Sequence, residues 1–423
     1  MKLFRYSIFL LPFLFSNIYA DEGKVLGEDR KHSVRKIVDS LGKIEQKEIS
    51  IVDNFRHMFE DGKVTGQVRT MHLNYNNKSS IESDNYTTAL GGSIKYELAE
   101  FNGFNAGAAV YTSHDINALT GDKAEHNPEF SSTSGTYTEM AEAYINYRYK
   151  DFNFRGGRQA IDTPLADTDD IRMVQNTFNA YIASYTFEGL EFMFGNLQSW
   201  QGVDADLDLG WSPTGENGTY FGGVTYTDVL EFSVWYYNIS ELTNAAYAEV
   251  GVHYEINENI LLHGVAQYLN EQEINNSGVA ADIYGVLFEF VAYDLGFSVA
   301  YNNSKQHLAK ESFSGFGGGT LFTSMDTLII DDITADRDVQ ATVAGISYSV
   351  ENFGFLYAYG DFKGDANSLG VKEHRDEQDI GFEYSVQEEF LISAVYSMQR
   401  DKESDAKTLN DWDRLQVMVN YNF

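Results

Sequence analysis

The sequence predicts an all-β protein, a transmembrane antiparallel β-barrel of about 18 strands with short periplasmic turns and long extracellular loops. Three observations predict it. The chain closes on WDRLQVMVNYNF (412–423), in which Leu415, Val417, Val419, Tyr421 and Phe423 share one face and Arg414, Gln416, Met418, Asn420 and Asn422 share the other. A strand that is apolar on one side, polar on the other and ends the chain with Phe fits a lipid face and a watery lumen. Second, a short turn flanked by aromatic or apolar residues recurs eight times along the chain. Third, the stretches between the turn-linked pairs are longer and rich in Asn, Ser, Asp and Gly.

At the N-terminus, residues 1–20 read as a secretory signal. Lys2 and Arg5 supply the charged part, 6–15 the apolar part, and Ile18 and Ala20 precede the expected cleavage. The run is too short to span hydrocarbon, which takes about 20 apolar residues. Residues 21–60 hold nine acids and eight bases, with Val34, Ile37, Val38, Leu41 and Ile44 at helical spacing. They are read as a periplasmic N-terminal segment, a short amphipathic helix or else a flexible tail, too short for the plug of a TonB-dependent transporter. The barrel is expected over 61–423.

The barrel opens with a strand over 64–75. The eight turns follow: EFNGF (100–104), YKDFNF (149–154), FEGLEF (187–192), YTDVLEF (226–232), YEINENIL (254–261), YDLGF (293–297), YSVENFGF (348–355) and YSVQEEF (384–390). They join sixteen strands, and the first and last strands bring the count to eighteen. Nine long loops fall near 76–85, 113–136, 161–176, 199–218, 239–244, 271–279, 303–337, 364–376 and 401–411. An even count leaves both ends on the short-turn side.

Composition agrees. The mean hydropathy of −0.33 hides a barrel, because lipid-facing and lumen-facing residues alternate. There are 28 Tyr, 29 Phe and 36 Gly but four Pro, and Pro128, Pro164 and Pro213 lie in turn-rich stretches where no ladder bond is lost. The absence of Cys excludes thiolate metal sites and Cys nucleophiles. The net charge of −33 argues against a nucleic-acid partner and attracts cations at the barrel mouths.

Two stretches resemble the OprD-type porins. GKVTGQVRTMHLNY (62–75) is similar to their first strand. GGRQAIDTPLADTDDIRMVQNTF (156–178) is similar to their Gly-Arg/Lys-Gln, Thr-Pro and Asp-Asp-x-Arg-Met run, except that Val174-Gln175 stand where family members often carry Pro. With the strand count and terminal Phe, the resemblance covers most of 55–423. It implies an outer-membrane porin for small polar solutes such as ions, amino acids and small carboxylates, narrowed by its third and seventh loops, here 161–176 and 303–337.

The third loop suits a pore eyelet, in which Asp167, Asp169 and Asp170 hold a hydrated cation or pair with lumen arginines and Arg172 opposes them. As a bland alternative these acids only cap turns. Alternation places Arg69, Arg148, Arg155 and Arg414 on inward parity as a basic arc. Glu249, His253, Glu289 and Glu383 share inward parity on other strands and suggest an acidic arc across the lumen. Charge on the lipid face costs about 2–4 kcal/mol near the midplane for Arg or Lys. Arg158 has outward parity unless a bulge intervenes. The apolar content of 312–333 suits a loop packed inside the barrel, or else a surface patch.

Other motifs are weak. Gly315, Gly317, Gly318 and Gly319 lack the Lys-Ser/Thr of a phosphate loop. DADLDLG (204–210) has a misplaced Gly for calcium. No HExxH or GxSxG occurs, so no enzyme, cofactor or resident metal is expected. Expected partners are outer-membrane lipid, small polar solutes and, through the C-terminal strand, the barrel-assembly machinery, with the chain a monomer or homotrimer. The alternative to a porin is an adhesin or structural barrel with a plugged lumen.

Overall fold

A computed structural model describes residues 50–423 apart from 81, 83, 117–126, 318, 387, 388 and 405. The expected signal and the helical spacing at 34–44 lie outside the described residues. Eighteen long strands follow one another: β1 (Lys63–Asn77), β2 (Asn85–Glu97), β3 (Phe104–Asp115), β4 (Thr136–Tyr149), β5 (Phe152–Gln159), β6 (Thr177–Phe187), β7 (Leu190–Gln201), β8 (Thr219–Thr227), β9 (Leu230–Ile239), β10 (Thr243–Asn257), β11 (Ile260–Glu273), β12 (Ala281–Ala292), β13 (Leu295–Ser304), β14 (Val339–Val350), β15 (Phe353–Gly364), β16 (Glu373–Val386), β17 (Phe390–Asp401) and β18 (Trp412–Asn422).

Each strand pairs antiparallel with the next, and β18 pairs with β1 in the register Arg69↔Asn420 and Tyr75↔Arg414. The barrel is therefore closed, which satisfies the backbone without an exposed edge, as a bilayer requires. The terminal Phe423 is tied in by two backbone bonds with Gly66.

The turns explain the register. Asn102-Gly103 and Glu188-Gly189 hold positive φ at both central positions, the two-residue geometry whose twist matches the strands. Outward positions are large and apolar, among them Ile94, Ile145, Phe194, Val286 and Val299. Aromatic residues such as Phe104, Tyr149, Tyr185, Tyr254 and Tyr421 cluster at the short-turn end. No helix among the described residues is long and apolar enough to cross a membrane.

Packing inside is not that of an empty pipe. A continuous buried cluster joins inward wall residues such as Met71, Tyr237 and Leu269 to Leu165 and Ala166 before β6 and to Phe322, Leu328 and Ile330 before β14. The loops that supply the latter residues, 160–176 and 305–338, are called loop 3 and loop 7 below.

Candidate functional site: the lumen and its two inward loops

Loop 3 is shaped by its own Thr and Pro. Asp162–Thr163 and Ala166–Asp167 form a two-rung antiparallel ladder about Pro164-Leu165. At its base the Thr168 hydroxyl accepts from Ile161 N at 2.9 Å and donates to Ile161 O at 3.0 Å. The tip of this finger is apolar and buried, and Leu165 N reaches the Tyr237 hydroxyl of β9 at 3.4 Å. The following charged stretch turns to the opposite wall. Asp170 accepts from Arg69 of β1 at 2.6 and 3.0 Å. Arg172 donates to Gln416 of β18 at 3.2 Å and pairs with Glu129 of the second long loop at 2.7 Å.

Loop 7 is pinned by the same inner face. Ser312 Oγ and Phe313 N donate to Glu271 of β11 at 3.0 and 2.9 Å. Phe322 N donates to Gln267 at 2.8 Å, and Thr323 N to Asn302 of β13 at 3.0 Å. Thr327 N donates to Glu377 of β16 at 3.0 Å. Asp326 pairs with Arg414 and accepts from Ser397 of β17 at 2.8 Å. The two loops are joined by their backbones, Phe316 N to Leu165 O at 3.0 Å and Asp167 N to Phe316 O at 3.1 Å. Gly317 permits this approach. Its φ is +87°, and a Cβ there would stand 2.6 Å from Asp167 O.

The charged side chains sort as follows. Arg69 on β1 and Arg414 on β18 are both fully buried, six residues apart in the register of the two strands; Arg69 faces Asp170, and Arg414 faces Asp326 and Glu129. Arg155 lies over the Tyr144 ring at 4.3 Å and donates to Asn146 at 3.2 Å. Arg148 is half-exposed at the short-turn end, paired with Glu100. Glu249 accepts from Tyr247 at 2.6 Å, and Glu289 bonds His263 at 2.7 Å. Glu383 is buried on β16. The expected division into facing basic and acidic arcs needs correction. Glu383, with Glu377 and Asp379, stands on β16, two strands from Arg414 rather than across from it. Glu142 sits among the basic residues, bound to Lys95 at 2.8 Å and to Tyr111 at 2.8 Å. Acids and bases are interleaved because a buried charge requires a partner.

Burial sets the state of the loop carboxyls. It raises Asp169, helped by Asp204 and Asp167 nearby, and it raises Asp170 against the pull of Arg69. Burial works the same way on Asp326 and Glu129, but Arg414 and Arg172 outweigh it and hold both below the usual range. Asp331 is pushed up by burial to about 7. In loop 3, then, Asp169 sits in an acid group with Asp167 and Asp204, whereas Asp170 and Arg172 serve ion pairs that tie the loop to the wall.

Several participants were not singled out from sequence. Glu231 of β9 bonds His263 Nε2 at 2.5 Å while Glu289 bonds Nδ1, so both ring nitrogens face carboxylates. Alternation beside Leu230 and Phe232 marks Glu231 as inward. Glu129 and Asp326 lie in irregular loops, where periodicity is silent. Arg158 keeps outward parity but sits at the long-loop end of β5, paired with Glu139 at 3.1 Å and 4.5 Å from the Trp211 ring. Asp204 and Asp208 of the calcium-like stretch accept from Asn176 and Thr133.

No family model and no curated relative matches the chain. Solved structures do. Acinetobacter baumannii OccAB4 aligns with a TM-score of 0.75 at 14% identity over 86% of this chain and 98% of its own. A BenF-like porin from Pseudomonas fluorescens Pf-5 gives 0.73 at 12% identity over 86% and 99%. Pseudomonas aeruginosa OpdK, solved with vanillate, gives 0.72 at 14% identity over 86% and 99%. The chain therefore has the fold of the porins that its loop motif resembles, an eighteen-stranded barrel spanning nearly the whole length of each.

Proposed function

We propose that the protein is an outer-membrane porin that lets small polar solutes (ions, amino acids, small carboxylates) diffuse passively through a pore narrowed by loops 3 and 7. The observation that carries this reading is the bonding of both loops to inward residues of β1, β9, β11, β13, β16, β17 and β18 inside a closed barrel. A constriction fixed on several sides selects by size and by the charge at its rim. Asp167, Asp169, Asp170 and Arg172 form the eyelet segment in this reading. Arg155 and Arg148 on one wall and Glu249 on another face the passing solute, while Arg69 and Arg414 hold the loops. No bond is made or broken, so no enzyme chemistry is required.

Exposed Leu209, Leu308, Leu369 and Leu409 in the long loops favour a second reading, an adhesin or structural barrel with a plugged lumen. Single-channel conductance in a planar bilayer, with the reversal potential under a salt gradient, separates the two. Discrete steps support the porin, and the sign of the reversal tells whether acids or arginines govern the rim. A folded barrel without conductance overturns it.

A further inference from the structure

The segment just before β1 carries a surface that the channel reading does not use. Ile51, Phe55 and Phe59 recur every fourth residue and are 74%, 64% and 51% exposed. Asn54 caps the short helix Phe55–Glu60 through the Arg56 and His57 amides. This puts Phe55 and Phe59 on one side, where their rings meet edge to face at 5.5 Å. Three large apolar side chains in a row are unusual on a surface that faces water.

The segment does not dangle. Ile51–Val52 pair in parallel with Glu100–Phe101 in the first short turn. Ser50 O and Met58 O accept from Glu100 N and Ala99 N at 2.8 and 3.0 Å. The Tyr96 hydroxyl donates to Phe59 O at 2.6 Å, and the Phe55 ring meets the Phe101 ring at 6.4 Å. Tyr96 itself has outward parity, opposite exposed Val64 in the β1–β2 register. The strap therefore lies on the outside of the barrel at its short-turn end, and its apolar side continues the lipid-facing band of β1–β3.

We infer that this strap is an interfacial membrane anchor, with Ile51, Phe55 and Phe59 seated at the headgroup–acyl boundary of the short-turn leaflet. Aromatic and aliphatic side chains at that depth with polar neighbours above them are the pattern of a helix lying on a bilayer. Between residues 50 and 63 the acids Asp53, Glu60 and Asp61 outnumber Arg56 and Lys63, so apolar insertion rather than attraction to anionic lipid holds it.

The chain has no Cys, so single cysteines can carry a nitroxide label without background. The full-length protein, folded into phosphatidylcholine vesicles, is labelled at 51, 55, 56 or 59, and folding is checked by heat-modifiable migration. Labels at 55 and 59 are expected to collide more with oxygen than with a water-soluble nickel chelate, and the label at 56 the reverse. High salt or added phosphatidylglycerol should leave this unchanged. Phe55→Ser with Phe59→Ser should move the label at 51 into water while the barrel stays folded. Labels at 55 and 59 open to nickel as at 56 overturn the inference. So does shielding from both reagents, which would mean that upstream chain or a second copy covers the strap.

Discussion

Asp170→Asn tests how loop 3 is held. Arg69 is fully buried, and its other acceptors are neutral: Asn420, Gln67 and the Arg172 carbonyl. Among the described residues Asp170 is the acid paired with it. Removing one partner of a buried ion pair leaves an uncompensated charge, at a cost of about 3–5 kcal/mol. Asn retains one acceptor oxygen, which places the expected cost near the lower end, about 3 kcal/mol. The barrel ladder is untouched, so the cost falls on the docked state of loop 3. At about 1.4 kcal/mol per tenfold, the released population rises roughly a hundredfold. Trypsin reads this directly. Cleavage after Arg172 follows the open population when opening and closing are fast relative to cutting, so its rate should rise by roughly the same factor. Arg69→Met combined with Asp170→Leu removes both charges and should restore much of the protection. An unchanged cleavage rate in Asp170→Asn, or a double variant cut faster than the single, would refute the reasoning.

Three further outcomes are expected. Asp331 is raised by burial to about 7 from an ordinary 3.8, so its contribution is fully present below about pH 4 and is lost as pH rises through 7. Loop 7 should accordingly loosen above neutral pH, seen as faster gating in conductance records, and Asp331→Asn should flatten that dependence. His263→Leu strands Glu231 and Glu289 against each other and should cost about 3–5 kcal/mol in urea unfolding, with Glu231→Gln and Glu289→Gln together recovering much of it. Gly317→Ala adds both a disfavoured φ of +87° and a contact 2.6 Å from Asp167 O. It should part loops 3 and 7 and raise cleavage after Arg172, whereas Gly278→Ala, with φ +88° in open space, should not.

The barrel was legible because its code is local. Alternation tells lipid from lumen along each strand, and aromatic or apolar ends with a few polar or small residues between them mark the turns. The expected turns and loops coincide with the observed ones to within a few residues. Arg69, Arg414 and Glu289, read as inward by the same alternation, are buried. The arcs were not legible, because neighbours around a barrel depend on which strands stand together and on what the loops bring in. Asp379 falls level with Arg414 only through the β16–β17–β18 register, and Glu129 and Asp326 reach the arginines from irregular segments that carry no period.

The sequence by itself determined a closed barrel of eighteen strands, the side each strand turns to lipid, and the loops with the composition to enter the lumen. These follow from short-range periodicity and from the bilayer's demand that every strand find two partners. The tertiary structure decided that loops 3 and 7 are stitched to each other and to the wall. It also decided that the buried arginines are neutralised by loop acids rather than left facing solute, because pairing between residues hundreds of positions apart is set by Coulomb energy in a desolvated interior, which no local pattern encodes.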